Sequence, residues 1–413
     1  MEKTNSKKKQ YLLGIVLSLV YFSNYMCRTA FPSTINCFVE EYSITHSEAG
    51  LVITFFFIAY AIGQLINCFF IKKYNKRISI TIPALGMGVM CLLTFFKFDF
   101  KYYKFIWFAL GIFTSFIWMS IVKLISVNTS DNISKSIITI LSFALGIGSA
   151  LTYLITSILT HFNVFRYIFL ISSVLMIISA IIFFFFIKNY SYSPKTEKEL
   201  NDKGGLFIEK MPSPKLSIFF IFIIIILSPV AALAADSLMT WVPTILRDEF
   251  DLSNSLSIFV GLFLPIIRSF GSIINNFLKR KGLGYLLIVN FMMVISTASL
   301  AFIIYALNNK VLALMIIFAL LAYLPFTCIT SIFTALYPLQ LKNYYDSGFL
   351  SAMFGTAAYV GSALSSYLVP LFVERTSWNS LFLLFISGAG FILIISLSIY
   401  LIFRHKEKYK LFI

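Results

Sequence analysis

The chain has 413 residues, of which 59% are hydrophobic and 12% charged, against about 25% charged residues in soluble globular domains. A mean hydropathy of +0.89 excludes a soluble globular fold and a disordered chain, and points to an integral membrane protein. The net charge of +16 would suit a nucleic-acid partner, but the basic residues stand in short groups between apolar runs. That is the pattern of membrane topology, so the expected surrounding is a lipid bilayer and no nucleic acid.

Cys27, Cys37, Cys68, Cys91 and Cys328 show no repeated spacing, and His46, His161 and His405 are scattered. This excludes a disulfide framework and the usual zinc signatures. The chain has no phosphate-binding Gly-x-x-x-x-Gly-Lys loop and no Ser/His/Asp or Cys/His grouping on one face of the membrane. Neither an enzyme nor ATP-driven transport is expected, and no cofactor or metal.

Taken in chain order, Lys3, Lys7, Lys8 and Lys9 precede an apolar run over 11–38 that is too long for a signal-peptide core and lacks a cleavage pattern. It reads as an uncleaved first span. Further runs of the roughly 20 residues needed to cross a bilayer follow at 49–71, 78–96, 105–127, 137–159 and 165–187. After a polar stretch rich in Lys, Glu, Ser and Pro come 216–246, 256–278, 285–306, 311–338, 347–371 and 380–403. The expectation is an all-α membrane protein of twelve transmembrane helices: a six-helix bundle over 1–187, a linker over 188–215 and a second six-helix bundle over 216–413.

An even number of spans puts both ends on one side. The tails, the linker and the loops on that side carry 23 of the 33 Lys and Arg, the opposite loops carry 7, and 3 lie within spans. By the positive-inside rule both ends are cytoplasmic. A multi-pass protein of the cell membrane, acting as a monomer, is expected. Two six-span halves joined by a cytoplasmic linker suit a secondary transporter that rocks one half against the other around a site at the bilayer midplane.

The residues that organise this reading are charges inside spans. A guanidinium at the centre of a membrane helix costs about 2.5–3.5 kcal/mol on insertion scales and is retained for a ligand or a pathway. On a helix Tyr21, Asn24, Tyr25 and Arg28 fall at i, i+3, i+4 and i+7, a polar and aromatic face able to line a cavity. Arg268 lies too deep in the eighth span to reach either surface, and it either binds ligand or pairs with Asp236 of the seventh. With Lys123 of the fourth span, three cations face one carboxylate, which suits an anion. Gly146, Gly148, Gly355 and Gly361 read as close helix contacts, and Pro229, Pro243, Pro265 and Pro338 as interruptions or ends of helices.

Several stretches together resemble the major facilitator superfamily and, within it, the organophosphate:phosphate antiporter family of glycerol-3-phosphate and hexose-phosphate transporters. Tyr25-Met-Cys-Arg28 is similar to that family's first-helix Tyr-x-x-Arg, whose arginine contacts substrate phosphate. Gly63-Gln64 through Lys72-Lys73-Tyr74-Asn75-Lys76-Arg77 resembles the superfamily's basic loop, with Lys72 at its acidic position. Trp118-Met-Ser-Ile-Val-Lys123 resembles a fourth-helix Trp followed five residues later by Arg. Asp236-Ser-Leu-Met-Thr-Trp241-Val-Pro243-Thr244 resembles the seventh-helix signature, and Tyr359-Val-Gly361-Ser362-Ala363 an eleventh-helix segment. Where the family carries its second clamp arginine this chain has Ala235.

The resemblance implies a major facilitator fold and transport of a phosphorylated sugar or glycerol phosphate by alternating access, with inorganic phosphate or a proton as counter- or co-substrate. The resemblance, with the polar face of the first span (Tyr21, Asn24) and the deep Arg268, makes Arg28, Tyr25, Asn24, Tyr21, Arg268, Lys123 and Trp118 the expected substrate contacts, and Asp236, Trp241 and Tyr359 the expected coupling or gating residues. A proton-coupled carboxylate or sugar-acid symporter, and a transporter-like sensor that does not translocate, are the alternatives.

Overall fold

The computed structural model describes residues 2–70, 75, 77–129, 131–188, 190, 214–341 and 347–404. The first half of the chain forms α1 (Glu2–Tyr42), α2 (His46–Phe70), α3 (Ile78–Phe95), α4 (Tyr103–Asn128), α5 (Asp131–His161) and α6 (Tyr167–Lys188). The second half forms α7 (Pro214–Phe250), α8 (Asn254–Gly261), α9 (Phe263–Arg280), α10 (Tyr285–Asn308), α11 (Leu312–Ser331), α12 (Ser347–Arg375) and α13 (Trp378–Phe403). Among the described residues, twelve helical stretches are long and apolar enough to cross a membrane, α8 and α9 together making the eighth. The linker expected over 188–215 and the basic loop at Lys72, Lys73, Tyr74 and Lys76 fall almost wholly outside the described residues.

Two of the four prolines behave differently from expectation. Pro229 and Pro243 lie inside the continuous α7 and break nothing. The eighth span is instead divided at Leu262, and Pro265 stands in the first turn of α9, where a missing N–H leaves no helical acceptor unpaired. Pro338 follows a π-helical turn over Ile332–Leu336, so the tenth span leaves α geometry at Ser331, earlier than its apolar run suggests.

Within the first half α1 packs along α5 and α6, and α2 along α4; within the second, α7 packs along α12 and α10 along α11 and α13. The same local device recurs in both halves. A Cβ at Gly63 of α2 would lie 2.2 Å from Ser115 Oγ, and Asn67 one turn on donates through Nδ2 to the Ser115 carbonyl at 3.2 Å. In α9 a Cβ at Gly271 would lie 3.1 Å from Thr327 Oγ1, and Asn275 donates to the Cys328 carbonyl at 2.8 Å. Gly-x-x-x-Asn thus fastens the second span to the fourth and the eighth to the tenth, and both Asn Oδ1 atoms are buried without a partner.

One end of the first half is fixed by Arg166, between α5 and α6. It donates to Glu41 at 3.0 Å, Tyr103 OH at 3.0 Å and Tyr42 OH at 2.9 Å. Burial disfavours its charged form, but the bonds to Tyr103 and Glu41 outweigh that and hold its pKa above the ordinary value.

The two halves meet along α2 with α12 and along α5 with α8 and α9, at contacts where only glycine fits. A Cβ on Gly50 would come 1.8 Å from the Ser366 carbonyl oxygen, and one on Gly146 1.7 Å from Ser269 Oγ. At the end of the molecule away from the described termini, polar bonds tie the halves together. Glu374 accepts from both the N–H and the hydroxyl of Ser47, each at 2.9 Å. Glu40 accepts from Asn254 at 2.7 Å and Arg247 at 3.4 Å, and Ser157 and Ser255 exchange hydroxyl-to-carbonyl bonds at 2.8 Å. Deeper in, the buried Thr244 hydroxyl donates to Asn36 Oδ1 at 2.8 Å.

Pro243 has its own part in this closure. Lacking an N–H, it leaves the carbonyl four residues earlier, that of Met239, without a helical donor. Tyr153 of the opposite half fills the vacancy, donating its hydroxyl to Met239 O at 3.1 Å. This end of the molecule is therefore shut by bonds the two halves supply to each other.

Two expectations follow from these contacts. Replacing Gly50 by Ala overpacks a backbone contact and should lower stability by about 1–3 kcal/mol, while Gly390→Ala, where a Cβ meets nothing within 4 Å, should leave thermal unfolding unchanged or slightly raised. Glu374→Ala removes charge-assisted bonds worth about 1.5–3 kcal/mol each, so a Thr240→Cys probe should react at least about tenfold faster with a membrane-impermeant maleimide from the side opposite the termini. An unchanged labelling rate would show that Glu374 does not hold that end closed.

Candidate functional site

Arg28 is 8% exposed and belongs to the α1 face that the helical period predicts. Its guanidinium carbon lies over five rings, Tyr25 at 5.4 Å, Phe56 at 5.5 Å, Phe57 at 5.6 Å, Tyr60 at 5.2 Å and Tyr359 at 5.5 Å from their centroids. These are attractive cation–π distances, but an aromatic face accepts no strong hydrogen bond. Among the described residues none accepts one from this guanidinium, which borders a cavity between the halves.

The cavity has a volume of about 40 Å³, room for a few water molecules in this closed conformation. From the second half Asp236 of α7 and Arg268 of α9 line it too. Arg268 Nη1 lies 3.6 Å from Asp236 Oδ1, longer than a hydrogen bond but within ion-pair range. The other carboxylate oxygen of Asp236 accepts from the Ser362 hydroxyl. Asp236 stands nearest Arg268 but its charge also acts on Arg28, so the two guanidinium groups share one carboxylate. With both arginines and the aspartate ionised, the cavity carries one net positive charge.

Of the residues singled out from sequence, Tyr25, Arg28, Asp236 and Arg268 line this space together. Tyr21 packs beside it, 5.1 Å from both Tyr25 and Trp118. Asn24 is 3% exposed, and its Oδ1 has no partner. Trp118 and the half-buried Lys123 of α4 do not line the cavity. Trp241 is buried behind it and donates through Nε1 to the Ser365 carbonyl at 3.1 Å, fastening α7 to α12. Tyr359 stands 4.2 Å from Tyr60 across the α2–α12 contact, where it closes over the Arg28 guanidinium. Ala235 is buried and leaves the cavity to its neighbour Asp236.

Other lining residues were not distinguished in the sequence. Ile53, Phe56 and Phe57 come from α2, Trp107 from α4, Ser149 from α5, and Met239 and Thr240 from α7. Apolar residues in an apolar span carry no compositional mark, and only their common helix face with Tyr60 would have grouped the three on α2. Trp107 is distinguished by the structure alone, since its indole N–H is buried without a partner.

The description Major Facilitator Superfamily is that of the family model matched by residues 17–345. Among curated proteins none matches the sequence. Among solved structures, the chain is similar to a bacterial homolog of the human lysosomal transporter Spinster in an inward-facing and occupied conformation, with 14% identity, a TM-score of 0.69 and coverage of 97% of this chain and 96% of that one. It is similar to a D-xylose–proton symporter, with 14% identity, a TM-score of 0.71 and coverage of 94% and 96%. It is similar to the xylose transporter XylE from E. coli in a partially occluded inward-open conformation, with 12% identity, a TM-score of 0.71 and coverage of 94% and 99%. At these identities the likeness is one of fold. The family match covers most of the chain, and the protein therefore belongs to the major facilitator superfamily, as a multi-pass secondary transporter and not an enzyme.

Proposed function

We propose that the protein carries a small organic anion through the central cavity by alternating access. The observation that supports this most strongly is Arg28, a buried cation held by ring faces, open to the cavity and with no hydrogen-bond acceptor among the described residues. Such a group is stabilised most by an anion that brings its own acceptors. Tyr25, Arg28 and Arg268 form the binding surface, and Tyr359 and Tyr60, one from each half, close over Arg28. With both chain ends cytoplasmic, the bonded end around Glu40 and Glu374 faces outward, and the site reaches the cytoplasm when α2 and α12 part. Phosphorylated sugars and glycerol phosphate are the substrates implied by the resemblance to organophosphate antiporters; carboxylates are the second class.

Coupling runs through Asp236 and Arg268. An anion that reaches Arg268 competes with Asp236 for it, and a pair that opens when substrate arrives biases the halves only if the anion binds one conformation better. Asp236 also supports a second reading, proton symport, because it is the carboxylate that lines the cavity, with one oxygen on Ser362 and the other facing Arg268.

Arg28→Ala should raise the dissociation constant for a transported anion by about 100-fold, the loss of two charge-assisted hydrogen bonds. Arg28→Lys should recover only part of it, since an ammonium lacks the planar fork. Equal affinity in all three forms, read by calorimetry on purified protein, would remove Arg28 from the site. Counterflow in proteoliposomes separates the coupling modes. An exchanger works without a pH gradient and is little changed by Asp236→Asn, whereas a symporter accumulates substrate only with the gradient and loses that accumulation in the variant.

A further inference from the structure

We infer that the substrate is a monoanion with an apolar or aromatic body, not a polyhydroxylated phosphate ester. The inference rests on the anion-carrier reading and narrows it against the resemblance, from two features of the same cavity.

The first is charge. Arg28 and Arg268 share the carboxylate of Asp236, which stands 3.6 Å from Arg268 and also acts on Arg28, so a single added negative charge brings the site to neutrality. A phosphate monoester carries about −1.5 to −2 at pH 7. It would leave excess negative charge in a low-dielectric space unless Asp236 were displaced from Arg268 and also from Ser362, which donates to it. Ala235 supplies no further cation.

The second is the wall. Beside the charged groups the cavity is bounded by Pro32, Ile53, Phe56, Phe57, Trp107 and Met239. Its neutral hydrogen-bonding side chains are hydroxyls and the Trp107 indole, with no Asn or Gln amide among the lining residues, and Thr29 already donates to the Tyr25 carbonyl at 2.7 Å. A hexose brings several hydroxyls, each of which must be hydrogen-bonded when it leaves water, and against six apolar or aromatic wall residues only Tyr25, Ser149, Thr240 and Trp107 offer further neutral partners. An apolar body gains from burial against the same surface, and a carboxylate on it presents planar acceptors to the Arg28 fork. The buried Trp107 N–H is a further unused donor beside the apolar wall.

The test is calorimetric titration of the purified full chain with three probes: phenylacetate, an apolar monoanion; gluconate, a hydroxylated monoanion; and glucose 6-phosphate, a hydroxylated phosphate ester. Phenylacetate should bind at least about tenfold more tightly than either of the others, with Arg28→Ala weakening phenylacetate binding by about 100-fold. Met239→Gln, which places an amide in the wall, should narrow the phenylacetate-to-gluconate ratio by about threefold or more. Gluconate or glucose 6-phosphate binding as tightly as phenylacetate, in an Arg28-dependent way, overturns the inference and leaves the anion carrier standing. If no probe binds in an Arg28-dependent way, both fall.

Discussion

The structure depends on one arginine placed where the chain has little to hold it. Arg28 lies in the middle of an apolar helix, under five aromatic rings and without a hydrogen-bond acceptor among the described residues. Cation–π contacts of this kind contribute about 0.5–2 kcal/mol each, which offsets part of the desolvation of a guanidinium and leaves its N–H groups unsatisfied. The rings come from both halves, Tyr25, Phe56, Phe57 and Tyr60 from the first and Tyr359 from the second. The set of rings around the charge is therefore complete only while α2 and α12 are together, so the position of the halves and the surroundings of Arg28 are linked.

The contrast with the bonded end, away from the described termini, shows how the fold divides its tasks. There the groups that join the halves are bonded across the contact: Glu374 to Ser47, Glu40 to Arg247 and Asn254, Met239 O to Tyr153, Asn36 to Thr244. At the centre they are not, with Arg28, Asn24 Oδ1 and Trp107 Nε1 short of partners. Unsatisfied groups are destabilising for a resting protein and useful for one that must bind. Pro243 illustrates how the sequence places such groups, because the missing N–H of one residue creates the acceptor that joins the halves.

The fold was largely legible, since twelve apolar runs and the asymmetry of Lys and Arg are bulk properties that survive without tertiary knowledge. Most helix ends came within about four residues, but α1 and α5 start nine and six residues before their apolar runs, through polar residues that a helix accommodates beyond the bilayer, and α11 stops seven residues short of its run. Breaks were less legible. Pro229 and Pro243 read as interruptions, yet a packed membrane helix accommodates them when neighbours satisfy the freed carbonyls, and the actual break fell at Leu262, three residues before Pro265, which the sequence also marked. The repeat of the halves was hidden because it survives as a local pattern, Gly63 with Asn67 and Gly271 with Asn275, and not as general identity. For the site, charges inside spans led to Arg28, Arg268 and Asp236, whereas the apolar wall had nothing to mark it. Lys123 and Trp118, taken from motif likeness, lie away from the cavity, because resemblance carries helix position better than it carries the direction of a side chain.

The central claim, that Arg28 is an empty anion receptor inside the protein, is tested most directly by locating an anion beside it. An experimental structure determined from bromide-containing buffer should show anomalous density in the cavity within hydrogen-bonding reach of the Arg28 guanidinium. Density absent there, with Arg28 turned toward lipid or bonded to a protein carboxylate or carbonyl, would contradict the account.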